Sequence, residues 1–148
     1  MKRRLMIVDD EEGILQALRR LLRSTPCAYG KLRYELEVEA FSSPRTALAR
    51  LREGGAAFDL FLSDYRMPEM DGLEFLRQAT LLQPDAARLI LSGQADREAI
   101  DRAFAEIRIY RFIDKPWNDS VLASAIAEAL NHRDLLREAR PRGGQGGA

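Results

Sequence analysis

The chain of 148 residues has little of what marks secreted, membrane or nucleic-acid-binding proteins. It has one cysteine, Cys27, so no internal disulfide can form, which fits a reducing compartment. The apolar run behind the basic start covers only residues 5–8, which is too short for a secretory signal, and no run approaches the roughly 18 apolar residues of a membrane span. The 23 basic and 23 acidic residues cancel. We therefore expect a cytoplasmic protein that binds neither membrane nor nucleic acid.

Short apolar segments alternate with helical patterns along most of the chain. Strands are predicted at residues 5–8, 34–41, 58–63, 88–91 and 109–113, and the second alternates apolar with acidic residues, as suits an edge strand. Helices are predicted from the spacing of Ile14, Leu18, Leu21 and Leu22, between Ser43-Pro44 and Gly54-Gly55, after Gly72, and over residues 96–105 and 119–139. This alternation predicts a doubly wound α/β fold of flavodoxin-like type, with five parallel strands in the order 2-1-3-4-5 and five helices.

The predicted domain covers residues 1–136, with its last helix running to about residue 139. Residues 140–148 are rich in glycine, and we expect a disordered tail there. The last helix is longer than the sheet and carries Leu135 and Leu136 beyond it, either as a frayed end or as a contact for a dimer or partner. No room remains after it for a helix-turn-helix, which argues against a DNA-binding regulator.

Polar side chains follow the predicted strands at their carboxyl ends, where a doubly wound sheet places its site. Asp9 and Asp10 follow the first strand, Asp64 the third, Ser92 the fourth and Lys115 the fifth. Taken singly, each has an ordinary explanation as a helix cap, a turn residue or a solvated charge. Taken together, they predict one pocket with three carboxylates, a hydroxyl and an ammonium group.

Such a pocket suits a hard divalent cation together with a phosphoryl group. Neighbouring carboxylates raise each other's pKa, a bound cation relieves the repulsion, and oxygen ligands favour Mg²⁺. A carboxylate can also attack phosphorus and form an aspartyl phosphate. Asp64 is the best candidate for this nucleophile because it ends the central strand, between the Asp9-Asp10 pair and Ser92.

Four segments of the sequence match a known family. They are residues 8–11 (Val-Asp-Asp-Glu), residues 62–72 (Leu-Ser-Asp-Tyr-Arg-Met-Pro-Glu-Met-Asp-Gly), residues 91–93 (Leu-Ser-Gly) and residues 114–116 (Asp-Lys-Pro). Over about residues 3–132 the chain resembles the response-regulator receiver domains of bacterial two-component systems. Residues 91–96 and 109–117 further resemble receivers found beside HD-GYP domains and in hydrogenase regulators.

The resemblance implies a role for each site residue. Asp64 is implied as the phosphoacceptor and a metal ligand, and Asp10 as a direct Mg²⁺ ligand, with Asp9 acting through water. The remaining implied roles are a backbone carbonyl ligand from Arg66, a switch hydroxyl from Ser92, a phosphoryl-binding ammonium from Lys115, a mobile aromatic at Phe112 and a cis peptide bond before Pro116.

The resemblance also implies partners. A histidine kinase or phosphotransfer protein would supply the phosphoryl group. The surface of the fourth helix, fifth strand and fifth helix would then signal to a downstream effector or form a homodimer. The chain would catalyse only its own phosphorylation and dephosphorylation.

Two alternative functions and three departures from the family pattern stay open. An aspartyl-phosphate phosphatase would need an acid two residues past the nucleophile, where this chain has Arg66, and an unphosphorylated binding module would normally have lost a site residue.

The loop over residues 25–33 is long and is either inert or a contact surface. Phe112 lacks a hydroxyl and signals only by packing. Arg66 either steers a phosphate or partner acid, or points to solvent.

Overall fold

The computed structural model describes residues 1–55 and 57–140. Its strands are β1 (Lys2–Val8), β2 (Cys27–Tyr29), β3 (Leu32–Phe41), β4 (Leu60–Asp64), β5 (Ala87–Ser92) and β6 (Arg111–Asp114). Its α-helices are α1 (Glu12–Ser24), α2 (Pro44–Arg52), α3 (Gly72–Leu82), α4 (Arg97–Ile107) and α5 (Asp119–Glu138). A short 3-10 helix, Gln94–Asp96, lies between β5 and α4 and was not predicted.

The six strands form one sheet in the order β2-β3-β1-β4-β5-β6. Within this sheet β3, β1, β4, β5 and β6 are parallel to one another, in the predicted 2-1-3-4-5 order. The predicted count of five strands is wrong, because β2 adds a sixth strand, antiparallel to β3. The expected edge position of β3 is wrong for the same reason.

The extra strand lies in the segment that we interpreted as a loop. Tyr29 pairs with Leu32, so only Gly30 and Lys31 connect β2 to β3, and Gly30 has a φ of 60°. A glycine at the first position of a two-residue connection is a known hairpin signal, so this strand was detectable in the sequence. The thiol of Cys27 lies 3.8 Å from the Ala123 carbonyl oxygen, which places the hairpin against α5.

Alternate residues of the central strands supply two separate hydrophobic cores. Leu5 and Ile7 of β1 face the core that contains residues of α1 and α5. Met6 and Val8 face the core that contains residues of α2, α3 and α4. A parallel strand covered by helices on both faces is apolar on both, which is why residues 5–8 of β1 and residues 60–62 of β4 have no polar face.

Helix starts coincide with capping residues. Ser43, Asp71 and Asn118 each accept a hydrogen bond from a backbone N–H of the first turn of α2, α3 and α5 respectively. The ends of α4 and of β6 differ by one or two residues from those predicted. Residues 141–148, most of the predicted tail, lie outside the described part of the chain. Among the described residues, no helix combines the length and hydropathy that a bilayer crossing requires.

Candidate functional site

Three carboxylates meet at the carboxyl ends of β1 and β4. These strands pair in parallel with Val8 opposite Ser63, so Asp9 and Asp64 follow at neighbouring positions. One oxygen from each of Asp9, Asp10 and Asp64 lies within 4.8 Å of the others. Asp9 is fully buried and Asp64 is 5% exposed, whereas Asp10 is exposed and opens the cluster to solvent. The structure therefore brings together the three acids that the sequence singled out.

Lys115 lies beside two of these acids. Its Nζ is 2.8 Å from Asp64 Oδ1 and 3.3 Å from Asp9 Oδ2. Its backbone N–H donates to the Ser92 carbonyl at 2.9 Å, which fixes the end of β6 against β5. The Lys115–Pro116 peptide bond is cis. Lys115 is thus placed where charge on Asp64, or on a group attached to it, can be neutralised.

The three carboxylates of the site carry more negative charge than the single ammonium group of Lys115 balances. Burial raises the pKa of Asp64, although the hydrogen bond from Lys115 opposes the shift. Burial also raises the pKa of Asp9, assisted by the negative charge of Asp64. Burial lowers the pKa of Lys115, but the hydrogen bond to Asp64 and the charge of Asp9 outweigh it, so its pKa is raised overall. A second cation would relieve the remaining strain between the carboxylates.

The donor set fits a magnesium ion. The carboxylates of Asp9, Asp10 and Asp64 are hard oxygen ligands, and the exposure of Asp10 leaves room for the waters that Mg²⁺ retains. The Glu11 N–H donates to Asp9 Oδ1 at 2.9 Å and orients that carboxylate. Arg66 follows Asp64 by two residues in the loop after β4, and the ligand role of its carbonyl stays a prediction.

Ser92 carries the clearest unmet hydrogen-bonding group. It ends β5, one position past Leu91, the partner of Asp64 in the sheet. It is 2% exposed, and its Oγ is buried without a hydrogen-bond partner among the described residues. Buried hydroxyls without a partner are costly and uncommon. An anion on Asp64 would provide the acceptor that this hydroxyl lacks.

Gly72 positions the acceptor, although its sequence context indicated only a loop end. A Cβ at Gly72 would lie 2.2 Å from the Asp64 carbonyl oxygen and 3.0 Å from Tyr65 Cα. The Gly72 N–H donates to the Tyr65 carbonyl at 2.7 Å. The first turn of α3 therefore packs directly on the backbone that carries Asp64, and only glycine permits this approach.

The start of α4 holds two functional candidates that sequence reasoning missed. Arg97 places its guanidinium 3.4 Å from the centroid of the Phe112 ring and donates to Asp114 at 3.0 Å. Asp96, 7% exposed, accepts hydrogen bonds from Arg66. Both contacts join segments far apart in sequence, so no local pattern indicated them. The inward movement predicted for Phe112 stays a prediction.

The comparisons with known proteins agree with this geometry. The sequence model of the response regulator receiver domain matches residues 5–127, and the chain belongs to this family. Membership implies phosphorylation-dependent signalling in a two-component system, and receiver domains generally bind Mg²⁺ at an acidic pocket and interact with histidine kinases and effector domains.

The most similar relatives include a hydrogenase regulator. The chain is 33% identical over 139 residues to the hydrogenase transcriptional regulatory protein HoxA of Bradyrhizobium diazoefficiens, covering 94% of this chain but 26% of HoxA. The chain thus spans about a quarter of that relative's length.

Solved structures show the same fold. A response regulator receiver domain protein from Clostridium thermocellum is 28% identical, with a TM-score of 0.77 and coverage of 90% of this chain and 98% of that one. The signal receiver domain of an HD domain-containing protein from Pseudomonas fluorescens Pf-5 is 33% identical, with a TM-score of 0.73 and the same coverage.

Proposed function

We propose that this chain is a signalling switch that accepts a phosphoryl group on Asp64. The observation that carries the proposal is the surroundings of Asp64. Acidic oxygens lie within 4.8 Å on one side, Lys115 Nζ is at 2.8 Å, and Ser92, the buried hydroxyl without a partner, ends the next strand. Phosphoryl transfer depends mainly on positioning and on charge neutralisation, and these groups offer both.

Some residues of the site would bind the metal ion, and others would act on the phosphoryl group. Asp9, Asp10, Asp64 and the Arg66 carbonyl would hold Mg²⁺, which when bound neutralises charge on the phosphoryl oxygens. The Asp64 carboxylate attacks phosphorus, the bond from phosphorus to the donor's imidazole nitrogen breaks, and an acyl phosphate forms. Lys115 then pairs with one phosphoryl oxygen, and the Ser92 hydroxyl donates to another.

The signal leaves the site through β5 and β6. The new group adds roughly −1.5 to −2 of charge. The movement of Ser92 toward it displaces the end of β5. Phe112 of β6, half-buried under Arg97, moves into the space that is vacated. This rearrangement changes the surface of α4, β6 and α5, where an effector or a second copy binds. The switch shifts a population between two states.

Partners and location follow from the same proposal. A histidine kinase or phosphotransfer protein supplies the phosphoryl group in the cytoplasm, and the chain performs no chemistry beyond its own phosphorylation and dephosphorylation. Leu135 and Leu136 on α5 are 55% and 60% exposed and offer an apolar contact for a second copy. Sedimentation at several concentrations, with and without phosphorylation, tests dimerisation, and a monomer throughout would remove it.

Intact mass spectrometry tests the central step. The folded protein is incubated with Mg²⁺ and a small acyl-phosphate donor, and one added phosphoryl group is expected. The addition should vanish in Asp64→Asn and when Mg²⁺ is chelated, and it should persist in Asp101→Asn, which changes an exposed acid on α4. A folded protein that gains no mass would favour the alternative of an unphosphorylated binding module.

A further inference from the structure

Two loops at the site are joined by one ion pair. Arg66 lies in the loop after β4, two residues past Asp64, and Asp96 lies in the 3-10 helix between β5 and α4. Arg66 Nε is 2.9 Å from both carboxylate oxygens of Asp96, and Nη2 is 2.6 Å from Oδ1. The pair therefore connects the loop that follows the acceptor Asp64 to the segment that follows Ser92.

The two partners depend on the pair unequally. The Asp96 side chain is 8% exposed, whereas that of Arg66 is 74% exposed. Among the described residues, Arg66 supplies every hydrogen bond to the Asp96 carboxylate, which does not cap α4. If Arg66 left, Asp96 would be a buried charge without a partner, which is strongly unfavourable. Arg66 is free to find another anion from solvent.

Arg66 also lines the mouth of the phosphorylation site. It shares a groove with Asp10 and with Tyr65, Met67 and Pro68. A phosphoryl group on Asp64 would bring up to two negative charges to this mouth, and a guanidinium binds phosphate oxygens in the bidentate manner in which it now binds Asp96. A phosphoryl group on Asp64 would therefore compete with Asp96 for the Arg66 guanidinium.

Arg97, the residue after Asp96, attaches the start of α4 to β6. Arg97 stacks on Phe112 and donates to Asp114, but its Nε is buried without a hydrogen-bond partner among the described residues. This contact is incompletely satisfied, so the Arg66–Asp96 pair is the better-formed of the two that hold the start of α4. The Asp96 N–H donates to the Gly93 carbonyl at 3.2 Å, so displacement of Asp96 is passed directly to the segment that follows Ser92.

We propose that the Arg66–Asp96 pair is a latch that holds the segment between Ser92 and α4 in the unphosphorylated arrangement, and that Arg66 exchanges Asp96 for the phosphoryl group. Loss of its partner makes the buried position of Asp96 unfavourable, and the 3-10 helix is released together with Ser92. Asp96 and Arg66 act here as positioning residues. The release half of this inference rests on the proposed phosphorylation of Asp64, while the holding half does not.

Hydrogen exchange tests the holding half in the unphosphorylated full chain. Amides over residues 94–100 are compared in wild type, Arg66→Gln, Asp96→Asn and Arg66→Lys. Arg50→Gln serves as the matched control because Arg50 of α2 also binds a carboxylate by two hydrogen bonds, to Glu39 of β3 at 2.9 and 3.3 Å, away from α4. Exchange over this segment should rise about tenfold in the Arg66→Gln variant and less in Arg66→Lys, which keeps the charge without the planar fork. Equal exchange in Arg66→Gln and Arg50→Gln would overturn the latch.

Phosphorylation kinetics test the exchange of partners, because the two halves of the pair should act in opposite directions. Asp96→Asn frees Arg66 for the phosphoryl group, so phosphorylation by the acyl-phosphate donor should be faster and the phosphoryl lifetime longer. Arg66→Gln removes the guanidinium, so phosphorylation should be slower and the lifetime shorter. Each change should be on the order of fivefold. A purely structural pair would change both variants in the same direction, and that result would refute the exchange.

The outcomes separate this inference from the proposed function. If wild type gains a phosphoryl group but exchange over residues 94–100 does not rise in Arg66→Gln, the latch is wrong and the proposed function stands. If wild type gains no mass, the proposed function fails and the release half falls with it, whatever the unphosphorylated variants show.

Discussion

Replacing Gly72 by alanine should destabilise the protein and displace its acceptor. The new Cβ would lie 2.2 Å from the Asp64 carbonyl oxygen and 3.0 Å from the carbonyl carbon, and both are backbone atoms that cannot rotate away. The first turn of α3 must therefore move off the end of β4. That movement also strains the 2.7 Å hydrogen bond from the Gly72 N–H to the Tyr65 carbonyl.

The expected loss follows from these two effects. Overpacking a tight contact costs about 1–3 kcal/mol, and weakening one backbone hydrogen bond adds about 1 kcal/mol. The free energy of unfolding should fall by roughly 2–4 kcal/mol, a large share of the roughly 5–15 kcal/mol typical of a domain. At about 2–4 °C per kcal/mol, Tm should fall by roughly 5–15 °C.

Urea and thermal unfolding, followed by the fluorescence of Trp117 and by circular dichroism, measure this loss. Gly13→Ala is the matched control, because Gly13 is an exposed residue of α1 and a Cβ there meets nothing within 4 Å. The control should be slightly stabilised, by about 0.5 kcal/mol, because alanine favours a helix more than glycine. If Gly72→Ala unfolded within about 0.5 kcal/mol of wild type, the tight contact between α3 and β4 would be refuted.

Three further predictions concern the site and the hairpin. At ten times its Kd, Mg²⁺ should stabilise the chain by about 1.4 kcal/mol, and calorimetry should find most of this lost in Asp10→Asn; equal stabilisation in both would contradict the site. Burial raises the pKa of Asp9, so the folded state holds its proton longer than the unfolded chain. The stability that the protonated Asp9 carboxyl contributes is fully present below its unfolded-state pKa and is lost as pH rises through its folded-state pKa. Without Mg²⁺, Asp9→Asn should therefore be more stable than wild type at pH 7 and equal to it near pH 3 in urea titrations. Burial raises the pKa of the Cys27 thiol to about 11 from 9.0, so in native protein at pH 8 it should react with a disulfide reagent at least about a hundredfold more slowly than in urea, and equal rates would place the hairpin elsewhere.

Sequence reasoning succeeded where the signal was a residue type at the end of a strand. Asp9, Asp64 and Lys115 are separated by up to 106 residues, yet each lies within two residues of the end of a predicted strand. Once those segments are parallel strands, their carboxyl ends share one edge of the sheet. The register of β1 with β4 and β5 with β6 then brings these side chains together. The burial of both faces of β1 follows from its uninterrupted apolar run.

It failed where the deciding contact joined segments without a shared pattern. The hairpin was missed because a three-residue strand is too short to show alternation, although Gly30 marked its turn. Gly72 is one of ten glycines, and nothing local distinguishes its approach to β4 from an ordinary loop end. The partner of Arg66, Asp96, lies 30 residues away at the predicted start of a helix, where no local pattern indicates that it binds Arg66.

The sequence alone therefore determined the order of the elements, the doubly wound class and the membership of the acidic pocket, because hydrophobic periodicity and residue chemistry are local properties. Only the tertiary structure decided which charges are paired and which are left without partners. Lys115 against Asp64, Arg66 against Asp96, and the unpartnered Ser92 hydroxyl all depend on angstrom-scale distances between loops. Electrostatic and hydrogen-bond energies vary steeply over such distances, so the behaviour of this site follows from the packing of the folded chain.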